Sequence, residues 1–360
     1  MIKVLHTEWS DGWGGQEIRI IHEIKSMNSY GVFSAIACRK DSKIYLQARK
    51  EKIKCYLLPF GGNFDLVTLF KLVKIINREK FQIINTHSGK DTWVGGIASK
   101  ISGIKFIRTR HLSNLISASR INFINSLADF IITTGESVRL DMISRNRINV
   151  GKIESIPTGP DDKYFDPSKF DKSNLKTDFN LCHDEIIIGT LAVLRGFKRH
   201  DRFITMAERI LEIYPNKKIK FLIAGDGPQK TKLTELITKK NLSNKVDLLG
   251  HLNNPAEFLS ILDLFILSSD SGEGVPQSLI QALLMNIPSI STDVGSVLDL
   301  YSEKNFRVIN KDSQDALDNS VCDFLSNKNF LFKETRTYIR NNFSQSVMAK
   351  KVFNIYNKLI

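Results

Sequence analysis

The sequence predicts an α/β protein with two doubly wound parallel sheets. Short apolar runs such as "IKVLHT", "FSAIAC" and "QIINTH" alternate along the chain with segments of helical length. Strands that are apolar without alternation are typical of parallel sheets covered by helices on both faces. The chain has 360 residues, more than one hydrophobic core usually organises. We therefore expect two Rossmann-like domains.

The first predicted domain covers residues 1–165. Its other apolar runs are "KCYLLP", "KFIRTRH" and "DFIITTG", and its helical patterns lie at 15–30, 64–79 and 91–103. The order βαβαβ implies a doubly wound domain.

A stretch rich in Pro, Asp, Lys and Ser, residues 155–185, then interrupts the pattern and predicts an interdomain linker with some ordered turns. Alternation resumes with "IIIGTLAVL", "IKFLIAGDG", "KVDLLG", "LFILSS" and "PSISTDV", separated by helical patterns at 199–214, 227–240, 255–262 and 276–286. These predict a second domain over 166–340. Residues 341–360 predict an amphipathic helix, with apolar positions at Val347, Met348, Val352, Phe353, Tyr356 and Leu359.

Composition indicates a soluble cytoplasmic protein. Apolar residues make up 42% and charged residues 25%. The four cysteines form no CxxC pair, which favours reduced thiols over a zinc knuckle or a disulfide scaffold. The opening "MIKVLHTEWS" predicts a strand rather than a signal peptide. No apolar run approaches the roughly 18 residues that a membrane span needs, so any membrane contact is expected to be peripheral.

The net charge of +13 is unevenly distributed. Residues 1–160 carry 24 Lys and Arg against 13 Asp and Glu, whereas residues 161–360 carry 27 against 25. The first half is therefore suited to an anionic partner such as a membrane surface, a phosphorylated lipid or a nucleic acid. General solubility charge explains the excess equally well. A nucleic-acid partner is disfavoured because no aromatic-interleaved platform accompanies the charge.

Ligands of open α/β sheets bind at the carboxyl ends of the strands, so the loops after the strands hold the candidate site residues. Gly14 and Gly15 precede a helix predicted to begin near Gln16, where free amides attract an anion. The loop is not G-x-G-x-x-G, so a dinucleotide fingerprint is not supported. Later strand ends of the first domain add His87, Ser88, Arg108, Arg110, His111, Glu136 and Ser137.

Two loops of the second domain suggest a phosphate site. Arg195 and Lys198 lie three residues apart before a helix, and a guanidinium fork with a point charge can straddle a diphosphate. In "AGDGP", Gly225 and Gly227 allow close packing before a helix opened by Pro228. Asp226 between them is expected to cap that helix.

The stretch "SSDSGEGVPQSLIQALLMNIPSISTDVG", residues 268–295, combines carboxylates, glycines and an apolar helix. Pro276 suits the first helical position. The amides around Gly274 and Val275 would then be helix-start donors for phosphate. Glu273 would repel phosphate but can accept hydrogen bonds from sugar hydroxyls. Gln281 interrupts the apolar helix, either as a ligand contact or as part of a polar stripe with Gln277 and Ser278.

Together, the motifs "GWGGQE", "RTRH", R-x-x-K at Arg195 and Lys198, "AGDGP" and "EGVPQSLIQALLMNIPSISTDVGS" resemble the family 4 retaining glycosyltransferases. The resemblance covers most of the chain. It implies the GT-B architecture, in which two Rossmann-like domains face each other across a cleft and a C-terminal helix crosses back to the first domain.

The resemblance implies roles for these residues. Arg195 and Lys198 would hold the diphosphate of a nucleotide-sugar donor, Glu273 would contact the donor sugar, and His111 would sit beside the transferred sugar; these four form the candidate catalytic set. Gln281 occupies the second glutamate position of the family's E-x7-E motif, which contacts the ribose. The further donor-binding candidates are Gly14, Gly15, Gly225, Gly274, Val275 and Pro276, and the acceptor-binding candidates are Gln16, Glu17, His87, Ser88, Arg110 and Glu136.

The implied activity is hexosyl transfer to a glycan or a polyprenyl- or lipid-linked acceptor, in bacterial lipopolysaccharide or surface polysaccharide assembly. No metal and no cofactor is expected, and the chain contains no D-x-D pair. The family's favoured front-face mechanism requires no protein nucleophile, and none is assigned. Two departures stand out: Gln281 replaces a glutamate, and Arg199 replaces a frequent glycine, where it could reshape the loop or add a third cation.

Two alternatives remain open from the sequence. A UDP-N-acetylhexosamine 2-epimerase-like enzyme on the same fold would need acid and base carboxylates, for which Glu136 and Glu273 are the candidates. A non-catalytic GT-B partner subunit would explain Gln281 as a tolerated loss. The presence of His111, Arg195, Lys198 and Glu273 together favours the transferase.

Overall fold

A computed structural model describes residues 1–111, 120–302, 306–326 and 335–360. The chain divides into two compact units. The first unit comprises Met1–Gly159 and Gln345–Ile360, and the second comprises Pro160–Ser344. Each unit is built around one parallel sheet, as the apolar runs predict.

In its described residues, the first unit holds a seven-stranded sheet with the order β3-β2-β1-β4-β5-β6-β7. The strands are β1 (Lys3–Glu8), β2 (Phe33–Cys38), β3 (Lys54–Leu57), β4 (Ile83–Thr86), β5 (Lys105–Arg110), β6 (Phe130–Thr133) and β7 (Ile153–Ser155). The helices are α1 (Gly15–Asn28), α2 (Lys43–Lys50), α3 (Leu66–Glu79), α4 (Gly89–Ser102), α5 (Glu136–Ser144) and, at the C-terminus, α13 (Gln345–Leu359).

Helix α4 packs unusually close to the sheet. A side chain on Gly95 would come within 2.7 Å of Thr86, and one on Gly96 within 2.7 Å of Phe106. The helix begins at a cap in which the backbone N–H of Ser88 donates to Asp91 at 2.8 Å. Glycines and cap together fix the backbone just after β4, where candidate site residues lie.

The C-terminal helix α13 completes the core of the first unit. Its buried residues Met348, Val352 and Tyr356 pack in one cluster with Val4 and Ile83. The burial follows from the apolar stripe of this amphipathic segment.

The second unit has the sheet order β10-β9-β8-β11-β12-β13 across its described residues. Its strands are β8 (Ile186–Leu191), β9 (Ile219–Ala224), β10 (Val246–Gly250), β11 (Leu264–Leu267), β12 (Ser289–Thr292) and β13 (Arg307–Ile309). The helices are α6 (Lys172–Asp178), α7 (His200–Ile213), α8 (Lys230–Lys239), α9 (Pro255–Ile261), α10 (Gln277–Leu284), α11 (Gln314–Leu325) and α12 (Thr335–Phe343).

Each sheet has one point where the strand order reverses, which is where ligands of doubly wound folds bind. This switch point lies between β1 and β4 in the first unit and between β8 and β11 in the second. The loops after these four strands therefore carry the candidate site.

The structure differs from the sequence-based expectations at several boundaries. Strands β7 and β13 were not predicted, because runs of three residues give too short a pattern. Most of the predicted linker 155–185 belongs to the second unit, where Phe165 and Leu181 are buried in its core. That stretch also contains helix α6, so the unit boundary falls at Gly159 rather than at residue 165.

Candidate active site

The site of the second unit centres on an ion pair between Lys198 and Glu273. Lys198 follows β8 and Glu273 follows β11, two strands that are paired in the sheet. The ammonium of Lys198 donates to Oε1 of Glu273, which also accepts from the hydroxyl of Ser269 at 2.6 Å. The side chains are only 16% and 8% exposed. Two of the four predicted catalytic residues are thus in direct contact at the switch point.

The loop carrying Glu273 is held from both sides. Gly295 adopts a left-handed backbone with φ of +58°, and a Cβ there would lie 2.1 Å from the carbonyl oxygen of Glu273. Next to it, Ser296 N–H donates to Gly274 O at 3.0 Å. On the other side, Asp270 N–H donates to the carbonyl of Phe197 at 2.9 Å. The ion pair therefore rests on a backbone that neighbouring loops fix.

Sequence reasoning did not single out these supporting residues. Gly295 ends the stretch 268–295 and Phe197 lies between Arg195 and Lys198, but close backbone contact between two loops leaves no periodic signal. A glycine directly after a strand was the one available hint for Gly295.

The other cations of this region differ in their surroundings. Arg195 immediately precedes the 3₁₀ turn Gly196–Lys198 and is exposed. Arg199 adopts a left-handed backbone with φ of +51° and forms ion pairs with Asp201 at 3.0 Å and Asp270 at 3.2 Å. Whether Arg199 reshapes the loop stays a prediction, while its charge is already balanced by two carboxylates, which argues against a third phosphate cation.

Gly225 is required by backbone packing. A Cβ at Gly225, whose φ is +140°, would lie 1.8 Å from the carbonyl oxygen of Ala192 in the loop after β8. A Cβ at Gly227 would likewise lie 2.7 Å from the carbonyl oxygen of Leu194. The close packing expected for these glycines is present.

Two expectations about helix starts were wrong. Asp226 does not cap α8: its carboxylate accepts from the neighbouring Gly227 N–H, and the helix begins at Lys230 rather than at Pro228. Pro276 is the N-cap of α10 and not its first helical residue, because its ψ of 117° is extended. Proline fixes φ but leaves ψ free, so the sequence could not distinguish the two positions.

Gln281 lies in the second turn of α10. It is partly exposed, as are Gln277 and Ser278, while the other described positions of the helix are buried. The three residues form a polar stripe on one face, which is compatible both with a ligand contact at Gln281 and with a simple surface stripe.

In the first unit, three histidines at neighbouring strands form a hydrogen-bonded row. His6 Nδ1 lies 3.0 Å from His87 Nε2, and His87 Nδ1 lies 3.0 Å from His111 Nε2. His6 and His87 are buried, and His111 is partly exposed. Burial is the main cause that lowers the pKa of each imidazole, and Arg19 lowers the pKa values of His87 and His111 further. His87 therefore uses both ring nitrogens in hydrogen bonds to the other two histidines.

Two buried carboxylates beside this row were missed by the sequence analysis. Glu8 ends β1, accepts from Ser10 N–H at 2.7 Å and receives a hydrogen bond from the amide of Gln16. Asp91 accepts from Thr7 Oγ1 at 2.6 Å and from His87 N–H at 2.9 Å. Burial is the main cause that raises the pKa of Glu8 well above its usual range, and the charge of Asp91 raises it further. A glutamate closing an apolar strand was the signal that could have found Glu8.

Several predicted acceptor-binding residues have local structural partners. Glu17 accepts from Gly14 N–H at 2.8 Å at the start of α1, which begins at Gly15 rather than Gln16. Ser88 is the N-cap of α4, and Glu136 pairs with Arg139 at 2.6 Å. Burial lowers the pKa of Arg110 to about 10, although the nearby charge of Asp141 acts to raise it. Their predicted contact with an acceptor stays a prediction.

Within the described parts of the chain, no three His, Cys, Asp or Glu side chains are grouped in a way that could hold a metal ion. No helix among those residues combines the length and hydropathy needed to cross a membrane.

Two Rossmann-like units, each built on a parallel sheet, match the fold of the GT-B glycosyltransferases. The family model described as "Glycosyl transferases group 1" matches residues 171–345, and that described as "Glycosyltransferase Family 4" matches residues 13–164. The chain belongs to the family 4, or group 1, glycosyltransferases.

Three proteins are similar to this chain in sequence. The uncharacterized glycosyltransferase MJ1059 of Methanocaldococcus jannaschii is 30% identical over 63% of this chain and 52% of its own length. The O-antigen biosynthesis glycosyltransferase WclY of Escherichia coli is 27% identical over 52% of this chain and 51% of its own length. The matched part of the chain thus spans about half the length of these two relatives. The UDP-Gal:alpha-D-GlcNAc-diphosphoundecaprenol alpha-1,3-galactosyltransferase of Escherichia coli is 25% identical over 82% of this chain and 80% of its own length.

Two solved structures share the fold. A glycosyltransferase from Rickettsia africae superposes with a TM-score of 0.89, at 20% identity, over 99% of this chain and 98% of its own. HepE from Anabaena in complex with UDP-glucose superposes with a TM-score of 0.85, at 18% identity, over 100% of both chains.

Proposed function

We propose that this protein is a retaining glycosyltransferase that takes a hexose from a nucleotide-diphosphate sugar and passes it to a lipid-linked glycan. The observation that carries the proposal is the Lys198–Glu273 pair at the switch point between β8 and β11. The UDP-glucose complex of HepE and the UDP-galactose donor in the name of the Escherichia coli relative make UDP the first nucleotide to test.

The ion pair supplies both halves of a donor site. An arriving diphosphate carries more charge than one carboxylate, so it would draw the Lys198 ammonium away from Glu273. The freed carboxylate repels phosphate and is left to accept hydrogen bonds from hydroxyls of the sugar. Arg195 would add a second cation on the diphosphate. The backbone of Gly274, Val275 and Pro276, with Gln281 at the ribose, would complete the donor contacts.

The proposed reaction proceeds on one face of the sugar. The bond between the anomeric carbon and the phosphate oxygen breaks, and its electron pair stays with the nucleotide diphosphate. The acceptor hydroxyl oxygen bonds to the anomeric carbon from that same face, and its proton passes to the departing phosphate oxygen. Lys198 and Arg195 would stabilise the negative charge that grows on the phosphate, and His111 would orient the sugar.

No protein nucleophile and no metal ion take part in this proposal. The chain contains no D-x-D pair of the kind metal-dependent transferases use. Transfer activity is expected to persist in EDTA and to be unchanged when Mg²⁺ or Mn²⁺ is restored, and loss of activity in EDTA with recovery on metal addition would contradict this part.

The acceptor is proposed to reach the first unit from an anionic membrane surface. Four large apolar side chains are exposed at the start of α3: Phe64 at 74%, Leu66 at 62%, Val67 at 57% and Phe70 at 71%. The same outward face continues with the exposed cations Lys71, Lys74 and Arg78. We call these seven residues the α3 surface. Apolar side chains followed by cations suit the boundary between acyl chains and anionic headgroups.

Vesicle co-sedimentation tests the α3 surface. Binding to phosphatidylglycerol vesicles is expected to exceed binding to phosphatidylcholine vesicles and to weaken as salt rises. The double variant Phe64→Ser, Phe70→Ser should lose most of the binding, whereas Ile213→Ser, which changes a residue of the second unit that is 55% exposed, should not. Equal binding to both vesicle types, or no loss in the double variant, would contradict the proposal.

The transferase activity is tested with a panel of UDP-sugars and lipid-diphosphate-linked acceptors, with product detected by mass spectrometry. Transfer is expected for at least one pair, and Lys198→Met and Glu273→Gln are expected to reduce it at least tenfold. Release of free N-acetylmannosamine from UDP-N-acetylglucosamine would instead identify an epimerase. Turnover unaffected by either substitution would overturn the proposed site.

A further inference from the structure

The histidines of the first unit form a diagonal row across three neighbouring strands. The sheet register aligns His6 with Asn85, and Asn85 with Ile107. His87 is two residues beyond Asn85, and His111 is four beyond Ile107. Even offsets keep the side chains on one face of the sheet. The row therefore runs from the buried centre of the sheet to its carboxyl edge.

Hydrogen-bond counting limits this row to two states. A neutral imidazole has one N–H and one lone pair. His87 uses both of its nitrogens, so it donates to one neighbour and accepts from the other. Consequently all three rings carry the proton on Nε2, or all three carry it on Nδ1. In the first state the remaining nitrogen of His111, Nδ1, offers a lone pair; in the second it offers an N–H.

Neighbouring charges favour the first state and have to offset its cost, because in that state the buried Nε2–H of His6 has no hydrogen-bond acceptor among the described residues. At the His6 end, the buried carboxylate of Glu23 accepts from Asn85 Nδ2 at 3.3 Å and from the hydroxyl of Tyr356 at 2.8 Å. The negative charge of Glu23 acts on His6 and favours the state with more positive charge at the His6 end of the row. The buried Arg19 guanidinium pairs with Glu23 at 3.6 Å and acts on His87 and His111, where its positive charge favours a lone pair.

The carboxylate of Asp91 favours neither direction. It accepts from the backbone N–H of His87, in the middle of the row. Burial lowers the pKa of His6 and holds the pKa values of His87 and His111 well below the usual value, so all three rings are neutral at pH 7.

We propose that His87, backed by His6, is a positioning residue that holds His111 as its Nε2–H tautomer and leaves Nδ1 as a hydrogen-bond acceptor. The consequence for activity rests on the proposed function, in which His111 lies beside the transferred sugar. An accepting Nδ1 selects a sugar hydroxyl as its partner, because a hydroxyl can donate. The hydrogen bond to His87 also fixes the orientation of the His111 ring, so that this contact is ready before the donor arrives.

Nitrogen-15 NMR of the wild-type protein at pH 7 tests the tautomers without any substrate. Long-range ¹H–¹⁵N spectra are expected to show the Nε2–H form for His6, His87 and His111. The Nδ1–H form at His111, or a mixture of forms among the three, would overturn the inference. This measurement is independent of whether the protein transfers sugar, so its failure is distinguishable from failure of the proposed function.

Paired substitutions test the positioning role. Asparagine places its side-chain amide near the position of the histidine Nδ1, so His87→Asn can still accept from His111 Nε2–H, whereas His87→Leu cannot. His87→Leu is expected to lower kcat/KM about tenfold, the effect of one lost hydrogen bond, and to abolish the Nε2–H signature of His111. His87→Asn should retain that signature and most of the activity.

A matched control is His183→Asn, which changes an exposed histidine of the second unit and should alter neither readout. If His87→Leu does not fold, the wild-type tautomers still decide the proposal. Equal losses in His87→Asn and His87→Leu, with the His111 tautomer unchanged in both, would overturn it.

Discussion

Replacing Glu273 with glutamine should tighten the binding of UDP while it impairs sugar transfer. In the ligand-free protein the Glu273 carboxylate holds the ammonium of Lys198, and a diphosphate would have to compete for that ammonium. Glutamine keeps the shape but removes both the competing charge and its repulsion of phosphate. The sugar contact, which needs a strong acceptor, would be weakened at the same time.

The magnitude follows from the burial of the pair. A hydrogen bond to a charged group contributes about 1.5–3 kcal/mol net, so release from that competition should improve UDP affinity by about 1–2 kcal/mol, roughly 5- to 30-fold. Breaking a fully buried pair costs about 3–5 kcal/mol. Because Lys198 keeps 16% exposure and can turn to water, we expect a stability loss of about 1–3 kcal/mol.

Isothermal titration calorimetry with UDP and urea unfolding measure the two effects. Lys198→Met should bind UDP at least about tenfold more weakly. Asp315→Asn is the matched control for stability, because its partner Arg209 is 44% exposed and Asp315 is 83% exposed; it should change stability by less than about 0.5 kcal/mol. Weaker UDP binding by Glu273→Gln than by the wild type would refute the competition between carboxylate and phosphate.

Further predictions concern residues that support the site. Gly295→Ala should lower the free energy of unfolding by at least about 2 kcal/mol, because its Cβ would lie 2.1 Å from the Glu273 carbonyl oxygen. Gly31→Ala, at a φ of +67°, meets nothing within 4 Å and should lower it by only about 1–2 kcal/mol. Thermal unfolding compares the two variants, and equal losses of stability would contradict the clash at Gly295. Burial, together with the charge of Lys198, lowers the pKa of His200 to about 4. As pH falls below about 6.5, the unfolded state therefore binds a proton at this histidine before the folded state does, and the free energy of unfolding decreases. His200→Leu should remove up to about 3 kcal/mol of that loss between pH 6.5 and 4 in urea titrations, and an unchanged pH slope would contradict the assignment.

Much of the fold was predictable because its signals are periodic. Apolar runs identified β1 and β11, and helical patterns identified α1 and α7 within a few residues of their ends. The three-residue strands β7 and β13 and the unit boundary were not predictable, since they depend on contacts made after folding. The boundary in particular follows from the burial of Phe165 and Leu181.

The candidate site divides in the same way. Lys198 and Glu273 were predicted because charged residues in the loops that follow apolar strands stand out in the sequence. Their direct contact, and the support from Gly295, depend on how two loops approach each other and have no local pattern. The histidine row was found in part: His87 and His111 follow strands, but His6 lies within β1, where the register alone reveals its partner.

The anomeric configuration of the product, measured by ¹H NMR during transfer from an α-linked UDP-sugar, tests the proposed retaining mechanism. We expect the wild type to form an α-linked product, and Lys198→Met to form at least tenfold less of it. A β-linked product would contradict the retaining mechanism. Turnover of no UDP-sugar, or turnover that Lys198→Met leaves unchanged, would contradict the assignment of the donor site to the loops after β8 and β11.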